Sequence, residues 1–152
     1  SQNSCMFNID QIKKIREETG VSISECQKAL NEAGGNAEEA KEILKKHGKE
    51  LAREKKDRAT SQGIIESYIH TNKKVGVLLE LNCETDFVAK SKDFQELAHE
   101  LCLQIAAIDE ETPLLFQPWI KDESKTIKEL IEGYIVKLGE NITVKRFIRY
   151  EL

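Results

Sequence analysis

Every second residue from position 75 to position 83 is apolar, and this pattern restricts the fold more than any other feature of the chain. The residues concerned are Val75, Val77, Leu79, Leu81 and Cys83. Successive side chains of a β-strand point to opposite faces, so the pattern predicts a strand with one fully apolar inner face. Such a strand is typical of an antiparallel sheet that is covered on one side.

The neighbouring segments predict an α+β domain around this strand. The other predicted elements are a strand at 64–70, a turn at 71–74, a helix capped by Ser91, a helix opening at Ser124 and a strand at 142–150. The order β-β-α-α-β predicts a small antiparallel three-stranded sheet with helices on one face. We place this single core domain at residues 63–152.

The N-terminal part predicts a separate three-helix bundle. Its helix starts carry capping-box patterns: Asn8 with Gln11, Ser22 with Glu25, and Asn36 with Glu39. Its helix ends are predicted at glycines: Gly20, Gly34-Gly35 and Gly48. One apolar face per helix is formed by Ile9, Ile12, Ile15, Ala29, Leu30, Ala33, Ala40, Ile43 and Leu44. We place this domain at residues 6–48 and assign 49–62, which is mostly charged, as a helical linker.

The overall composition argues against several classes of protein. The chain has 23 Lys and Arg against 27 Asp and Glu, a net charge of -4 and a pI of about 5.5, so it lacks the basic footprint of a general nucleic-acid binder. No run approaches the roughly 18 apolar residues of a membrane span. The four cysteines form no C-x-x-C pair, so we expect no metal site and no cofactor.

The sequence also predicts a protein without catalytic residues. His47, His70 and His99 stand beside no serine or cysteine in a nucleophile motif. We interpret all three as solvated side chains, with His47 at a helix end, where a cation suits the helix dipole.

The segment ELNCETDFVAK, residues 80–90, contains the strongest candidate for a binding site. Inner-face alternation stops at Cys83, and Phe87 then follows two acidic residues and Thr85. Phe87 precedes Phe94 by seven residues, so on one continuous helix both rings would face the core. A new helix start at Ser91 would instead free Phe87 to act as an exposed binding anchor. The pattern alone leaves both interpretations open.

Three segments resemble signatures of a known family, bacterial-type translation elongation factor Ts. They are ELNCETDFVAK at 80–90, IREETG with CQKAL at 15–30, and KLGENI with KRF at 137–147. The matches follow the family's order and span about residues 8–152. They indicate a short form of this family.

This resemblance implies a function and a set of site residues. Family members are exchange factors for the GTPase elongation factor Tu, with a first domain like the ubiquitin-associated domain. The residues implied to bind the partner's G domain and dislodge Mg²⁺ are Thr85, Asp86, Phe87 and Val88. Secondary contacts are implied for Leu138, Gly139, Arg16 and Lys28. No enzymatic activity, cofactor, membrane contact or direct binding of nucleotide or nucleic acid is implied. The implied location is the bacterial cytoplasm, or an organellar stroma or matrix.

Two departures from the family pattern affect these expectations. Gln27 stands where the family usually has a lysine, which leaves Lys28 as the candidate for that charge contact. The chain also has one core unit, whereas long members have two, and some short members compensate by forming a homodimer. Leu114, Leu115, Phe116 and Trp119 are candidates for such an interface or for packing over the sheet.

Three alternative functions remain from the residues themselves. One is a ubiquitin-like-protein binding module with an appended α+β domain, which leaves the turn at 85–88 without a role. Another is an RNA-binding domain that uses Lys145, Arg146 and Arg149. The third is a thiol enzyme that uses Cys83, although the predicted inner face buries this residue.

Overall fold

The computed structural model describes residues 9–152, and these residues divide into two compact units. The first unit ends at Glu54 and the second comprises Lys55–Leu152. The division falls inside the segment 49–62 that the sequence assigned as a linker. The predicted domain limits of 6–48 and 63–152 stay a prediction, and residues 6–8 lie outside the described part of the chain.

Three helices build the first unit, namely α1 (Ile9–Thr19), α2 (Ile23–Glu32) and α3 (Ala37–Lys55), whose last residue already belongs to the second unit. They bury one common cluster that contains Ile12, Ile15, Cys26, Ala29, Leu30, Ala33, Ala40 and Leu44. Two of the predicted capping boxes are confirmed in their forward half, because Ser22 Oγ accepts from Glu25 N and Asn36 Oδ1 accepts from Glu39 N. The cap predicted at Asn8 lies outside the described residues. The likeness to a ubiquitin-associated domain stays a prediction.

The predicted helix ends of the first unit are only partly correct. Gly20 and Gly34 have φ angles of 73° and 61°, as expected for glycines that end helices. Gly48 was predicted to end a helix, but it is buried within α3, which continues because residues 49–55 are mostly strong helix formers. His47 therefore lies inside α3 and not at its end. Ile9, predicted on the inner face, is exposed.

The second unit contains five strands and three helices. In chain order they are β1 (Gln62–Ile69), β2 (Val75–Cys83), α4 (Asp86–Ala89), α5 (Lys92–Ala107), β3 (Pro118–Trp119), β4 (Asp122–Thr126), α6 (Ile127–Leu138) and β5 (Ile142–Glu151). A 3-10 turn at Leu114–Phe116 precedes β3. None of the helices within residues 9–152 is long and apolar enough to cross a membrane.

Strand β2 is the middle strand of a three-stranded antiparallel sheet with the order β1-β2-β5. Its inner side chains Val77, Leu79, Leu81 and Cys83 are buried, and α5 packs over β1 and β2. The sheet confirms the predicted α+β fold class. Cys83 pairs with residues of both neighbouring strands, so the strand is held on both sides up to its last residue.

The hairpin of β3 and β4 is an element that the sequence analysis did not predict. Gln104, buried in α5, anchors it by donating from Nε2 to the Pro118 carbonyl at 3.0 Å and accepting from Ile120 N at 2.9 Å. The helix predicted to open at Ser124 opens at Ile127 instead. Ser124 lies in β4 and bonds to Asp122, whereas Thr126 forms the capping box with Glu129. The signal was present in the sequence, since Ser124 has no Glu or Gln three residues later.

Replacing Thr126 with alanine should lower the free energy of unfolding by about 1 kcal/mol, because α6 loses its N-cap. Ser124→Ala is the matched control and should change it by less than about 0.5 kcal/mol, since its hydroxyl bonds only at the surface. Urea denaturation of the two variants measures both values. A larger loss for Ser124→Ala would contradict the observed helix start.

Candidate functional site

The chain leaves β2 and forms one isolated helical turn before α5 begins. We call Thr85–Val88 the tip. Thr85 has extended φ and ψ angles of -124° and 152°, and its Oγ1 accepts from Val88 N at 3.2 Å, so it is the N-cap of α4. This hydrogen bond satisfies a backbone donor that a turn as short as α4 would otherwise leave free. Thr85 is thus part of the exposed turn and also its cap.

Ser91 separates α4 from α5. Its Oγ donates to the Val88 carbonyl at 2.7 Å and accepts from Phe94 N at 3.2 Å. The interpretation in which Phe87 and Phe94 share one continuous helix is therefore wrong. Phe94 is fully buried, whereas the residue Phe87 is 85% exposed.

The exposed ring of Phe87 stands on a buried base. Val88 and Ala89, the next two residues, are buried, and α4 contacts β1 and β2. Of the four residues predicted at the tip, Thr85, Asp86 and Phe87 are exposed. Val88 lies in the core, because one side of this short turn faces the sheet and the other faces the solvent. Val88 therefore fixes the tip in place and presents no surface of its own.

Asp86 adds a negative charge beside the exposed ring. Its carboxylate lies 2.8 Å from Lys90 Nζ, one helical turn away, and both side chains are exposed. The hydrogen bond from Lys90 to Asp86 raises the pKa of Lys90. Exposed pairs of this kind are weak and are screened by salt, so a charged partner can take up either member at small cost.

Leu138 and Gly139, predicted as a second contact, lie at the corner between α6 and β5. We call Leu138–Asn141 the corner. Gly139 has a φ of 76° and caps α6 in the left-handed conformation, and its carbonyl accepts from Lys55 Nζ at 2.7 Å. This conformation turns the chain so that Glu140 reaches the tip. The structure thus brings the corner and the tip together, although 50 residues or more separate them in sequence.

Glu84 and Glu140 join the tip to the corner, and neither was predicted from the sequence as a site residue. Glu140 Oε1 accepts from Glu84 N at 3.1 Å and from Thr85 N at 3.0 Å, and its Oε2 accepts from Thr85 Oγ1 at 2.7 Å. In return, Glu84 Oε2 accepts from Asn141 N at 2.6 Å. We call this reciprocal arrangement the carboxylate clamp. Both residues stand inside the recognised motifs, but no local pattern predicts that they pair.

Arg16 and Lys28, the remaining predicted contacts, lie in the first unit. Arg16 is in the last turn of α1 and Lys28 is in α2, and both are exposed. Lys28 Nζ lies 3.6 Å from Glu25 on the same helix. The tip and the corner belong to the second unit.

The buried thiols do not favour nucleophilic chemistry. Burial raises the pKa of Cys83 to about 11 and that of Cys102 to about 12. A thiolate is the reactive form, and at neutral pH both groups remain thiols. Within residues 9–152, no group of three or more His, Cys, Asp or Glu side chains is arranged to hold a metal ion.

Comparison with known proteins identifies the family. A family model described as "Elongation factor TS" matches residues 84–152, a range that contains both tip and corner. Elongation factor Ts of Coprothermobacter proteolyticus is 42% identical over an alignment of 188 residues, gaps included. This alignment covers 93% of this chain and 95% of the relative. The chain belongs to the elongation factor Ts family. Elongation factor Ts of Thermotoga maritima is 40% identical and that of Methylacidiphilum infernorum 37%, each over 191 residues and 96% of this chain; the match covers 96% and 95% of those relatives.

These elongation factor Ts relatives are longer than this chain. The match to the Coprothermobacter protein extends over 188 residues, whereas this chain has 152, so the relative contains residues with no counterpart here.

Two phenylalanines seven residues apart should respond in opposite ways to truncation. Phe94→Ala should lower the free energy of unfolding by about 3–5 kcal/mol, because it leaves a cavity in the core. Phe87→Ala should change it by less than about 0.5 kcal/mol, because the ring packs against little of the protein. Urea denaturation tests both variants. A loss above about 2 kcal/mol for Phe87→Ala would mean that its ring belongs to the core.

Proposed function

We propose that this chain is a non-enzymatic guanine-nucleotide exchange factor for elongation factor Tu in translation elongation. It binds the G domain of that GTPase, dislodges Mg²⁺ and promotes release of GDP so that GTP can bind. The observation that carries the proposal is the exposed ring of Phe87 on a capped turn, inside a motif of the family to which the chain belongs. The function implies a compartment that carries out translation, a bacterial cytoplasm or an organellar stroma or matrix.

An exchange factor of this kind needs only a difference in binding free energy. If it binds nucleotide-free elongation factor Tu more tightly than the GDP-bound form, it shifts the population towards the nucleotide-free form. By reciprocity, GDP and the factor weaken each other's binding by the same ratio, so nucleotide binding expels the factor. The factor itself then has no need to bind nucleotide or nucleic acid.

The tip provides the two chemical groups that such a difference requires. A buried aromatic anchor contributes of order 2 kcal/mol or more to an interface, and Phe87 supplies this on insertion into the partner. Asp86 brings a carboxylate towards the ligands of Mg²⁺ and alters the charge balance that holds the ion. Because α4 is capped at Thr85 and rests on Val88, little conformational entropy is lost when the tip binds.

The other predicted residues enlarge the contact with elongation factor Tu. Leu138 and Gly139 lie at the corner, which the carboxylate clamp fastens to the tip, so we assign both elements to one continuous contact. Gly139 lacks a side chain, and nothing lies within 4 Å of where its Cβ would be. The partner's backbone can therefore approach closely at this point. Arg16 and Lys28 supply exposed positive charges from the first unit.

The arrangement of basic residues on β5 argues against the RNA-binding alternative. Arg149 donates to the carbonyls of Ile105 and Ala106, and only 15% of its side chain is exposed. Arg146 pairs with Glu80 at 2.8 Å. Arg149 therefore serves the protein's own packing, whereas 78% of the Arg146 side chain is exposed. The ubiquitin-binding alternative gives no role to the exposed ring of Phe87.

Release of fluorescently labelled GDP from elongation factor Tu tests the proposed function. The wild-type chain should accelerate release, and Phe87→Ala should reduce the acceleration by about tenfold or more, since an interface anchor contributes of order 2 kcal/mol. Asp86→Ala should reduce it to a smaller extent. Stopped-flow measurement at saturating factor gives the rates.

Phe116→Ala is the matched control for this experiment, because Phe116 is a second exposed phenylalanine of the same unit. This variant should accelerate GDP release from elongation factor Tu as much as the wild-type chain does. Failure of the wild-type chain to accelerate release would refute the exchange function. Equal losses for Phe87→Ala and Phe116→Ala would refute the role of the tip.

We also propose that two copies of the chain associate through the open face of the sheet. This face carries a set of exposed apolar side chains: Ile65, Ile69, Leu78, Ile148 and Tyr150. Leu78 pairs with Ile148 across the strands, and Ile69 and Tyr150 flank Gly76, so the set is continuous over all three strands. Of the interface residues predicted from the sequence, Leu114 is buried, whereas Leu115 and Phe116 are exposed.

Sedimentation equilibrium tests the homodimer and its location. The wild-type chain should sediment at about twice its mass of 17.3 kDa, and Leu78→Lys should shift it towards the monomer because a charge cannot be buried there cheaply. Phe116→Lys should leave the dimer intact. A monomeric wild type would refute the dimer, and dissociation by Phe116→Lys alone would move the interface to residues 114–119.

A further inference from the structure

We propose that Glu140 is a positioning residue for nucleotide exchange, which sets the angle at which the tip presents Phe87 to the partner. This inference rests on the proposed exchange function and goes further, because it assigns a role to a residue that would not itself have to touch the partner. The carboxylate clamp makes tip and corner move as one body, so that both contacts form together.

Glu140 holds the backbone that connects β2 to the tip. Its Oε1 accepts from two successive backbone N–H groups, those of Glu84 and Thr85, which connect the end of β2 to α4. Two successive donors on one oxygen restrain the direction of this connecting segment more than a single hydrogen bond would. Hydrogen bonds to an ionised acceptor are also stronger than those between neutral groups. Within residues 9–152, the amides of Glu84 and Thr85 form no hydrogen bond other than these two.

Glu140 also orients the hydroxyl of Thr85. This hydroxyl donates to Glu140 Oε2 at 2.7 Å, and its oxygen accepts from Val88 N at 3.2 Å. Donation to the carboxylate fixes the position of the hydroxyl proton and leaves a lone pair directed at Val88 N. The N-cap of α4 is thus itself oriented by Glu140, and α4 carries Phe87.

The carboxylate clamp holds the tip and the corner from both sides. Glu84 Oε2 accepts from Asn141 N at 2.6 Å and lies 3.7 Å from Arg58 Nη1. Asn141 Nδ2 in turn donates to the carbonyl of Arg58 at 2.9 Å. Each of the two glutamates therefore holds the backbone of the segment that carries the other. A reciprocal pair of this kind resists rotation of the tip relative to the corner better than a single contact.

The geometry separates three substitutions at position 140. Glu140→Gln keeps an oxygen for the two backbone N–H groups, and the Thr85 hydroxyl can accept from the new amide instead of donating. Glu140→Asp keeps the charge but shortens the side chain by one methylene, which withdraws the carboxylate from Thr85. Glu140→Ala removes every one of these bonds. The order of activities should therefore follow the contacts that remain, and Glu140→Gln should lose only the part that the negative charge adds to these hydrogen bonds.

The test is a double-mutant cycle between Glu140 and Phe87, read as the rate of labelled GDP release from elongation factor Tu at saturating factor. Glu140→Ala should slow release by about tenfold, as expected when hydrogen bonds to a charged group are lost. Glu140→Asp should also be slow, and Glu140→Gln should recover most of the wild-type rate. In the Phe87→Ala background, Glu140→Ala should add less than about a twofold effect, because Glu140 acts through Phe87.

Glu100→Ala is the matched control, because Glu100 also joins two elements through its carboxylate, which binds Lys121, but it contacts no residue of the tip. It should leave the release rate unchanged even if urea denaturation shows a loss of stability. If Glu140→Ala does not fold, the comparison of Glu140→Asp with Glu140→Gln carries the test. A slow Glu140→Gln with a fast Glu140→Asp would overturn the proposal in favour of a charge effect.

Two further results would overturn the positioning role alone. One is a wild-type rate for Glu140→Ala while Phe87→Ala is slow. The other is full multiplication of the two losses in the double variant, which indicates that Glu140 acts independently of Phe87. If the wild-type chain does not accelerate release at all, the exchange function itself fails, and this outcome is distinct from both.

Discussion

Burial of the inner face of β2 is the constraint on which the second unit depends. The strand pairs on both sides, and the side chains from Val77 to Cys83 that face α5 are all buried. A slip of one residue in either pairing would move this set to the solvent face, so the register is strongly specified. The register in turn fixes the place where β2 ends. The tip, which follows Cys83, is therefore attached to a rigid edge of the sheet.

Polar contacts then determine what packing cannot. The four residues of α4 are too few to form a stable helix by themselves. The Thr85 hydroxyl accepts a hydrogen bond from Val88 N at the start of the turn, and the Ser91 hydroxyl donates to the Val88 carbonyl at its end. The side chain of Val88 packs beneath the turn. This division of roles lets Phe87 stand in solvent without loss of local order. An exposed aromatic ring on an ordered base is the combination that an interface anchor needs.

Periodic and short-range features were predictable from the sequence. The alternation from Val75 to Cys83 gave the bounds of β2, and Ser91 gave the start of α5, because these signals depend on neighbours within one element. Phe87 was ambiguous from periodicity, since its spacing to Phe94 fits a helix face, and the break at Ser91 decides the matter.

The helix end predicted at Gly48 was wrong because the helix-forming residues after it outweigh one glycine. The hairpin and the carboxylate clamp were missed because they join residues far apart in sequence, such as Gln104 with Ile120 and Glu84 with Asn141.

Nucleotide exchange by this chain depends on a difference in affinity, and that difference is directly measurable. The most direct test is titration calorimetry of the chain against elongation factor Tu in its nucleotide-free and GDP-bound forms. The account predicts much tighter binding to the nucleotide-free form, by about a hundredfold, within the range typical of coupling between two sites. It also predicts that Phe87→Ala loses most of this ratio while retaining part of the binding to the GDP-bound form. Equal affinities of the wild-type chain for the two forms, or an unchanged ratio in Phe87→Ala, would contradict it.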